Sequence, residues 1–291
     1  MLSDKEIRIK NGLKKEFILH TAIRPEFSAA HTKLCADGFV LTEEQMYIMG
    51  CCYERGILFG KPKLFNEEWL SDLCSCTGIY LEEYRHTDEE NFYSEIKRNS
   101  AINIAPPMIY VRWDDKEYLA IVCKVYDDHT YDIISPVEKE VITVGSDRIN
   151  CTRPWYMMNS PRFMAPVFRD KQELEENGLR HMFRNIRRLG SAPVGSSFFY
   201  DSKKLAELTT AGEGIPEYEE LTYWIRTLRS YMNIAALDKC DERIRLLYDE
   251  LVSDTGGVKS ELLAKIFDAE AETLAVWQDE YHRNGDKGND T

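Results

Sequence analysis

The sequence lacks a long hydrophobic run. Its longest uninterrupted apolar stretch is about six residues, Tyr118 to Cys123, where a membrane-spanning helix needs roughly twenty, so no membrane segment is expected. A basic surplus is also missing: 37 Lys and Arg stand against 50 Asp and Glu, a formal charge of −13. A field of that sign repels polyphosphate backbones and anionic bilayers, which argues against nucleic acid and membranes as partners. The opening Met1-Leu2-Ser3-Asp4-Lys5-Glu6 has neither the apolar stretch nor the small-residue cleavage site of a secretory signal, and the expected location is cytoplasmic.

Phosphate-cradling loops are absent too. Neither Gly-x-Gly-x-x-Gly nor Gly-x-x-x-x-Gly-Lys occurs, and Gly212-Glu213-Gly214 is too short and too acidic to hold phosphate, so no nucleotide or other cofactor is expected. Cysteine is sparse and scattered: the eight residues Cys35, Cys51, Cys52, Cys74, Cys76, Cys123, Cys151 and Cys240 read as reduced thiols. The close pairs Cys51-Cys52 and Cys74-x-Cys76 do not match zinc knuckles, and no metal is expected.

What is present is a chain of 291 residues, 43% of them apolar, enough to bury one large core or two moderate ones. Helical signals dominate residues 27–99. Ser28 can cap a helix over 27–37, closed by Gly38 at the position where a left-handed residue ends helices. Thr42-Glu43-Glu44-Gln45 and Thr87-Asp88-Glu89-Glu90 match capping boxes, and Asn66-Glu67-Glu68-Trp69-Leu70 opens another helix. Pro106-Pro107 stops the last of these, and strand-like segments follow at 108–111, 118–126, 130–134 and 140–144 as an antiparallel meander. Helices before sheet, without βαβ alternation, predict an α+β domain over residues 1–150.

Residues 151–166, with three prolines, read as a linker. The remainder predicts a helical unit over 167–283, with helices near 170–189, 202–211, 217–233, 236–253 and 258–283, and a disordered tail over 284–291. The last helix carries Leu262, Leu263, Ile266, Phe267, Leu274 and Trp277 on one side.

Three stretches resemble one known family. Pro25 to Gly50 carries a small-residue helix, Gly38, and the helix start Leu41-Thr42-Glu43-Glu44-Gln45. Tyr118 to Ile134 pairs two strands through Val125-Tyr126-Asp127-Asp128. In the C-terminal half, Leu205-Ala206-x-Leu208 and Gly256-Gly257 precede Leu263-Ala264-Lys265-Ile266-Phe267-Asp268-Ala269-Glu270. In this order they resemble the butirosin biosynthesis protein H family, over most of the chain.

The resemblance implies a papain-like N-terminal unit, fused to an all-helical C-terminal one. A cysteine at a helix start, made nucleophilic by a histidine on the sheet, would carry acyl transfer in specialised-metabolite biosynthesis. It further implies a carrier-bound or peptide-like acyl intermediate, and an acyl carrier protein or biosynthetic enzyme as partner. Counted from Gly38, the nucleophile's position falls at Pro25, with Arg24 at the preceding histidine. Counted from Tyr126-Asp127, the histidine's position falls at Leu119 and the orienting acid's near Ser135. The dyad is therefore absent from the motif, and the alternative expectation is a non-catalytic binding or scaffold protein that keeps the acyl cleft.

Fallback groups exist. Ser28 is the only hydroxyl near the nucleophile's position, though a serine without a base is inert. His31 and Cys35 stand four residues apart on one helix, so they share a face and form a displaced dyad candidate. Cys123 reads as core and His129 as a turn residue. Arg180, Arg184, Arg187 and Arg188 lie in a stretch without acids from Leu179 to Gly190. Such a stripe suits a helix C-terminus, or it docks an acidic carrier protein or its phosphopantetheine phosphate.

Overall fold

The computed structural model describes residues 6–10, 12–13, 16–20, 23–38, 40–50, 55–63, 68–86, 88–102, 105–159, 180, 198–211, 235–253 and 260–286. The chain divides into two compact units, Met1–Met46 with Cys74–Lys171, and Tyr47–Leu73 with Gln172–Thr291. The second unit therefore includes a segment from the first half of the chain, which the sequence had assigned to the first.

In the first unit, β1 (Glu6–Ile9) and β2 (Phe17–His20) form an antiparallel hairpin. Helix α1 (Pro25–Ala36) follows. Its cap is Arg24, not Ser28, and Pro25 takes the first helical position, where its fixed φ is already helical and its missing N–H costs nothing. Ser28 is consequently one turn inside the helix and buried. Gly38 ends it as expected, at φ 95°, its N–H donating to the Cys35 carbonyl at 3.1 Å. The expected capping box forms at α2 (Glu43–Met49): the Thr42 N–H donates to Gln45 Oε1 at 2.8 Å and the Gln45 N–H to Thr42 Oγ1 at 3.2 Å. After α3 (Trp69–Thr77) comes α4 (Glu89–Ile102), capped by Asp88, whose Oδ1 accepts the Asn91 N–H at 2.8 Å. That is one residue beyond the Thr87 of the sequence reading, and Thr87 itself lies outside the described residues.

A six-stranded antiparallel sheet organises this unit, in the order β5 (Tyr80–Tyr84), β10 (Trp155–Asn159), β6 (Met108–Trp113), β7 (Lys116–Val125), β8 (Tyr131–Ile134) and β9 (Val141–Val144). The meander β6 (Met108–Trp113), β7 (Lys116–Val125), β8 (Tyr131–Ile134) and β9 (Val141–Val144) agrees with the sequence reading. His129 sits in the β7–β8 turn at φ 61°, and Cys123 is buried, its thiol pushed up to about 12 by desolvation.

Strands β5 (Tyr80–Tyr84) and β10 (Trp155–Asn159) were not expected. The presumed linker thus supplies an interior strand, second in the sheet. Pro154 stands just before it, where a missing N–H is tolerated. Burial decides the rest: Trp155 and Met158 are fully enclosed, and the Trp155 ring stacks on Tyr84 at 4.3 Å.

Phe92, Tyr93 and Ile96 of α4 pack with Ala120 and Val122 of β7 in the main core. Strand side chains alternate, so Leu119 and Ile121 point to the opposite face, and they are equally buried. Helix α1 packs on the same strand. The central strand is covered on both faces, which explains why it reads as a continuous apolar run.

The second unit is not all-helical among the described residues. A small sheet of order β11-β3-β4 joins β3 (Gly56–Leu58), β4 (Lys61–Lys63) and β11 (Phe198–Phe199). Helices α5 (Ser202–Ala211) and α6 (Ala235–Ser253) both pack on α7 (Ser260–Asp286). The stripe on α7 is as expected, with Leu262, Leu263, Ile266, Phe267 and Trp277 buried and Leu274 half-buried. Helix α7 continues into the expected tail as far as Asp286. Apart from residue 180, the helices expected over 170–189 and 217–233 lie outside the described residues.

Candidate functional site

Chemistry-bearing side chains gather at the two ends of α1. Of the motif positions, Pro25 occupies the first turn of α1, Leu119 is buried in β7 and Ser135 follows β8, fully enclosed. None of the three supplies a nucleophile, base or orienting carboxylate. The Ser135 hydroxyl donates to the Glu138 carboxylate and accepts the Glu138 N–H at 3.0 Å. It closes the β8–β9 turn, a structural role that any short hydroxyl suits.

The charged groups around α1's start are more informative. Arg24 Nε lies 3.6 Å from Glu26 Oε2 and 3.9 Å from Glu43 Oε1, close enough for attraction yet beyond hydrogen-bond reach. Both of those carboxylate oxygens, and the Lys139 ammonium, are buried without a hydrogen-bond partner among the described residues. Glu43 is 8% exposed and Lys139 7%. Burial pushes the Glu43 carboxyl up to about 7, with Arg24 opposing. Burial also pulls the Lys139 ammonium down to about 8, with Glu43 and Glu26 opposing.

These four groups therefore share one electrostatic environment. Buried charge with incomplete hydrogen bonding is costly, so such a cluster persists where something outweighs the cost. Lys139 also holds φ 60°, a left-handed conformation that non-glycine residues rarely adopt and that concentrates at functional sites. Sequence reasoning found Arg24 through the motif count but missed Glu26, Glu43 and Lys139, because their convergence depends on α2 and the β8–β9 turn both reaching the same helix end.

At the other end, the fallback pair does meet. Cys35 Sγ lies 3.6 Å from His31 Nε2 and 3.8 Å from Nδ1, and His31 Nε2 lies 2.9 Å from the Leu41 carbonyl oxygen. His20, at the end of β2, brings its ring to 4.7 Å from that of His31. Cys35 stands in the last turn of α1, where exposed carbonyls carry partial negative charge, and a catalytic thiolate gains support from a helix start instead. In the same turn the buried Lys33 ammonium pairs with Asp37.

Of the arginine stripe, residue 180 is helical and exposed. Arg184, Arg187 and Arg188 lie outside the described residues. No model of a known protein family matches the chain, and no curated protein matches it.

Proposed function

We propose that the chain is a non-catalytic binding protein of papain-like plan, related to the butirosin biosynthesis protein H family, that holds an amine-bearing acyl intermediate at the start of α1. One observation carries this reading. The positions of the family's nucleophile, base and acid hold Pro25, Leu119 and Ser135, while buried carboxylate oxygens and an ammonium that make no hydrogen bond among the described residues lie around Arg24 at the helix start. Helix α1 on an antiparallel sheet supports the plan. Glu26 and Glu43 suit an ammonium group of the ligand, and Lys139 with Arg24 suits its acyl oxygen. An acidic carrier protein would deliver the intermediate, docking on Arg180, Arg184, Arg187 and Arg188.

The test uses an aminoacyl N-acetylcysteamine thioester as probe. Saturable binding is expected by calorimetry, with the intact mass of the protein unchanged. Lys139→Met should weaken binding about tenfold or more, since a charge-assisted hydrogen bond contributes ~1.5–3 kcal/mol. A stoichiometric mass increase at a cysteine would show acyl transfer instead. Binding unaffected by both Lys139→Met and Glu43→Gln would refute the site.

A further inference from the structure

We infer that His20, His31 and Cys35 form a zinc-binding site joining β2 to the last turns of α1. One ligand atom from each lies within 4.8 Å of the others. Two ligands of a tetrahedral zinc, at ~2.3 Å for sulfur and ~2.0 Å for nitrogen, stand ~3.5–3.6 Å apart. The separation of 3.8 Å between Cys35 Sγ and His31 Nδ1 is near that value, so small side-chain rotations bring the set onto one ion.

The surroundings fit a cation in three further ways. The Leu41 carbonyl, 2.9 Å from His31 Nε2, accepts the proton of that nitrogen and so leaves the lone pair on Nδ1. A carbonyl accepting from the far ring nitrogen fixes tautomer and ring orientation in zinc-bound histidines. The negative end of the α1 macrodipole favours positive charge at this turn, the reverse of what a nucleophilic thiolate needs. Burial is uneven: His31 is enclosed, whereas His20 and Cys35 are half-buried, which gives the ion an entry path and leaves a fourth position for water.

A mixed imidazole and thiolate set selects zinc over magnesium or calcium, which take oxygen ligands. Binding forms a Zn–S bond and two Zn–N bonds and breaks the Cys35 S–H bond. The proton passes to solvent, and no group is oxidised or reduced. Neither close cysteine pair of the sequence takes part. This site is independent of the one at the start of α1.

The experiment uses the full chain, reduced and stripped with EDTA, titrated with Zn²⁺ against a chromophoric chelator and separately with Co²⁺. One ion per chain is expected, with a sulfur-to-cobalt charge-transfer band in the near ultraviolet. Cys35→Ala and His20→Gln replace the two half-buried ligands, sparing His31 and its hydrogen bond. Each should weaken Zn²⁺ at least ~10–100-fold, more than loss of an outer-shell partner does, and Cys35→Ala should abolish the band. Far-ultraviolet circular dichroism of both variants should match the parent, so that lost binding is not lost folding; if either variant is unfolded, Cys35→Ser and His20→Asn replace them with the same expectations. Failure of the parent to take zinc from the chelator overturns the inference. So does parental affinity in either folded variant.

Discussion

Each unit buries charge, and the two do it differently. In the second, Arg55 Nε lies 3.2 Å from Glu270 Oε2, both side chains being 6% exposed. The Tyr248 hydroxyl donates to Glu270 Oε1 at 2.9 Å, and the Arg55 guanidinium lies over the Phe267 ring at 5.7 Å. In the first, Glu26, Glu43 and Lys139 approach one another electrostatically, but one oxygen of each carboxylate and the Lys139 ammonium make no hydrogen bond among the described residues. In the second cluster both Glu270 oxygens are engaged, one by Arg55 and one by Tyr248, while Arg55 Nη1 makes no hydrogen bond among the described residues; a network with more of its bonds made holds its core more tightly. The two clusters are buried to a similar degree and differ in how many of their hydrogen bonds are made.

The sharpest way to break this comparison is at Glu270. Glu270→Ala leaves Arg55 buried without its carboxylate partner and should destabilise the second unit by about 3–5 kcal/mol, read as a lower urea midpoint at constant slope. A loss below about 1 kcal/mol would show that the network is solvated and that the contrast does not hold.

Glu43→Gln should do the reverse. The carboxyl keeps its proton to about pH 7 in the folded chain, against an ordinary value of 4.5, so the folded state holds the extra proton between those limits. The stability this group contributes is intact below pH 4.5 and lost as pH rises through 7. The variant should then match the parent near pH 4 and exceed it by about 1–3 kcal/mol at pH 8, part of the gain being offset at Lys139. A variant less stable than the parent at pH 8 would mean that Glu43 is satisfied as an ion.

The smallest effect is expected where charge is exposed and capped. Asp88→Ala removes the acceptor of the Asn91 N–H and should cost about 1 kcal/mol. Asp88→Ser should restore most of it. An effect as large as that of Glu270→Ala would tie the α4 start to something beyond a cap.

Local signals were legible in the sequence wherever one segment decides its own structure. The box at Thr42, Gly38, the turn at His129 and the meander from Met108 to Val144 all depend on neighbours in the chain. Strand β10 was hidden because Pro154 and the prolines beyond it are local evidence for a loop, while the burial of Trp155 between strands remote in sequence is not visible locally. The same reason hid His20, Glu26, Glu43 and Lys139. Cys35 and His31 were visible as a pair through their four-residue spacing, but their third member comes from a hairpin. The small sheet around Gly56–Leu58 was missed because its strands have two or three residues, too few to show alternation.

Strand β10 also bears on the order in which the sheet can be assembled. Its two neighbours are β5, some seventy residues earlier in the chain, and β6, some forty residues earlier. Strands β6 to β9 can pair as soon as each is made, through short turns. Among the described residues strand β5 has no other partner in the sheet, so it waits with its edge open until residues 155–159 leave the ribosome. A segment that local evidence marks as a connector is thus the closing step in assembling this sheet, and a chain stopped at residue 154 would carry an unpaired edge, the kind of surface on which nascent proteins associate.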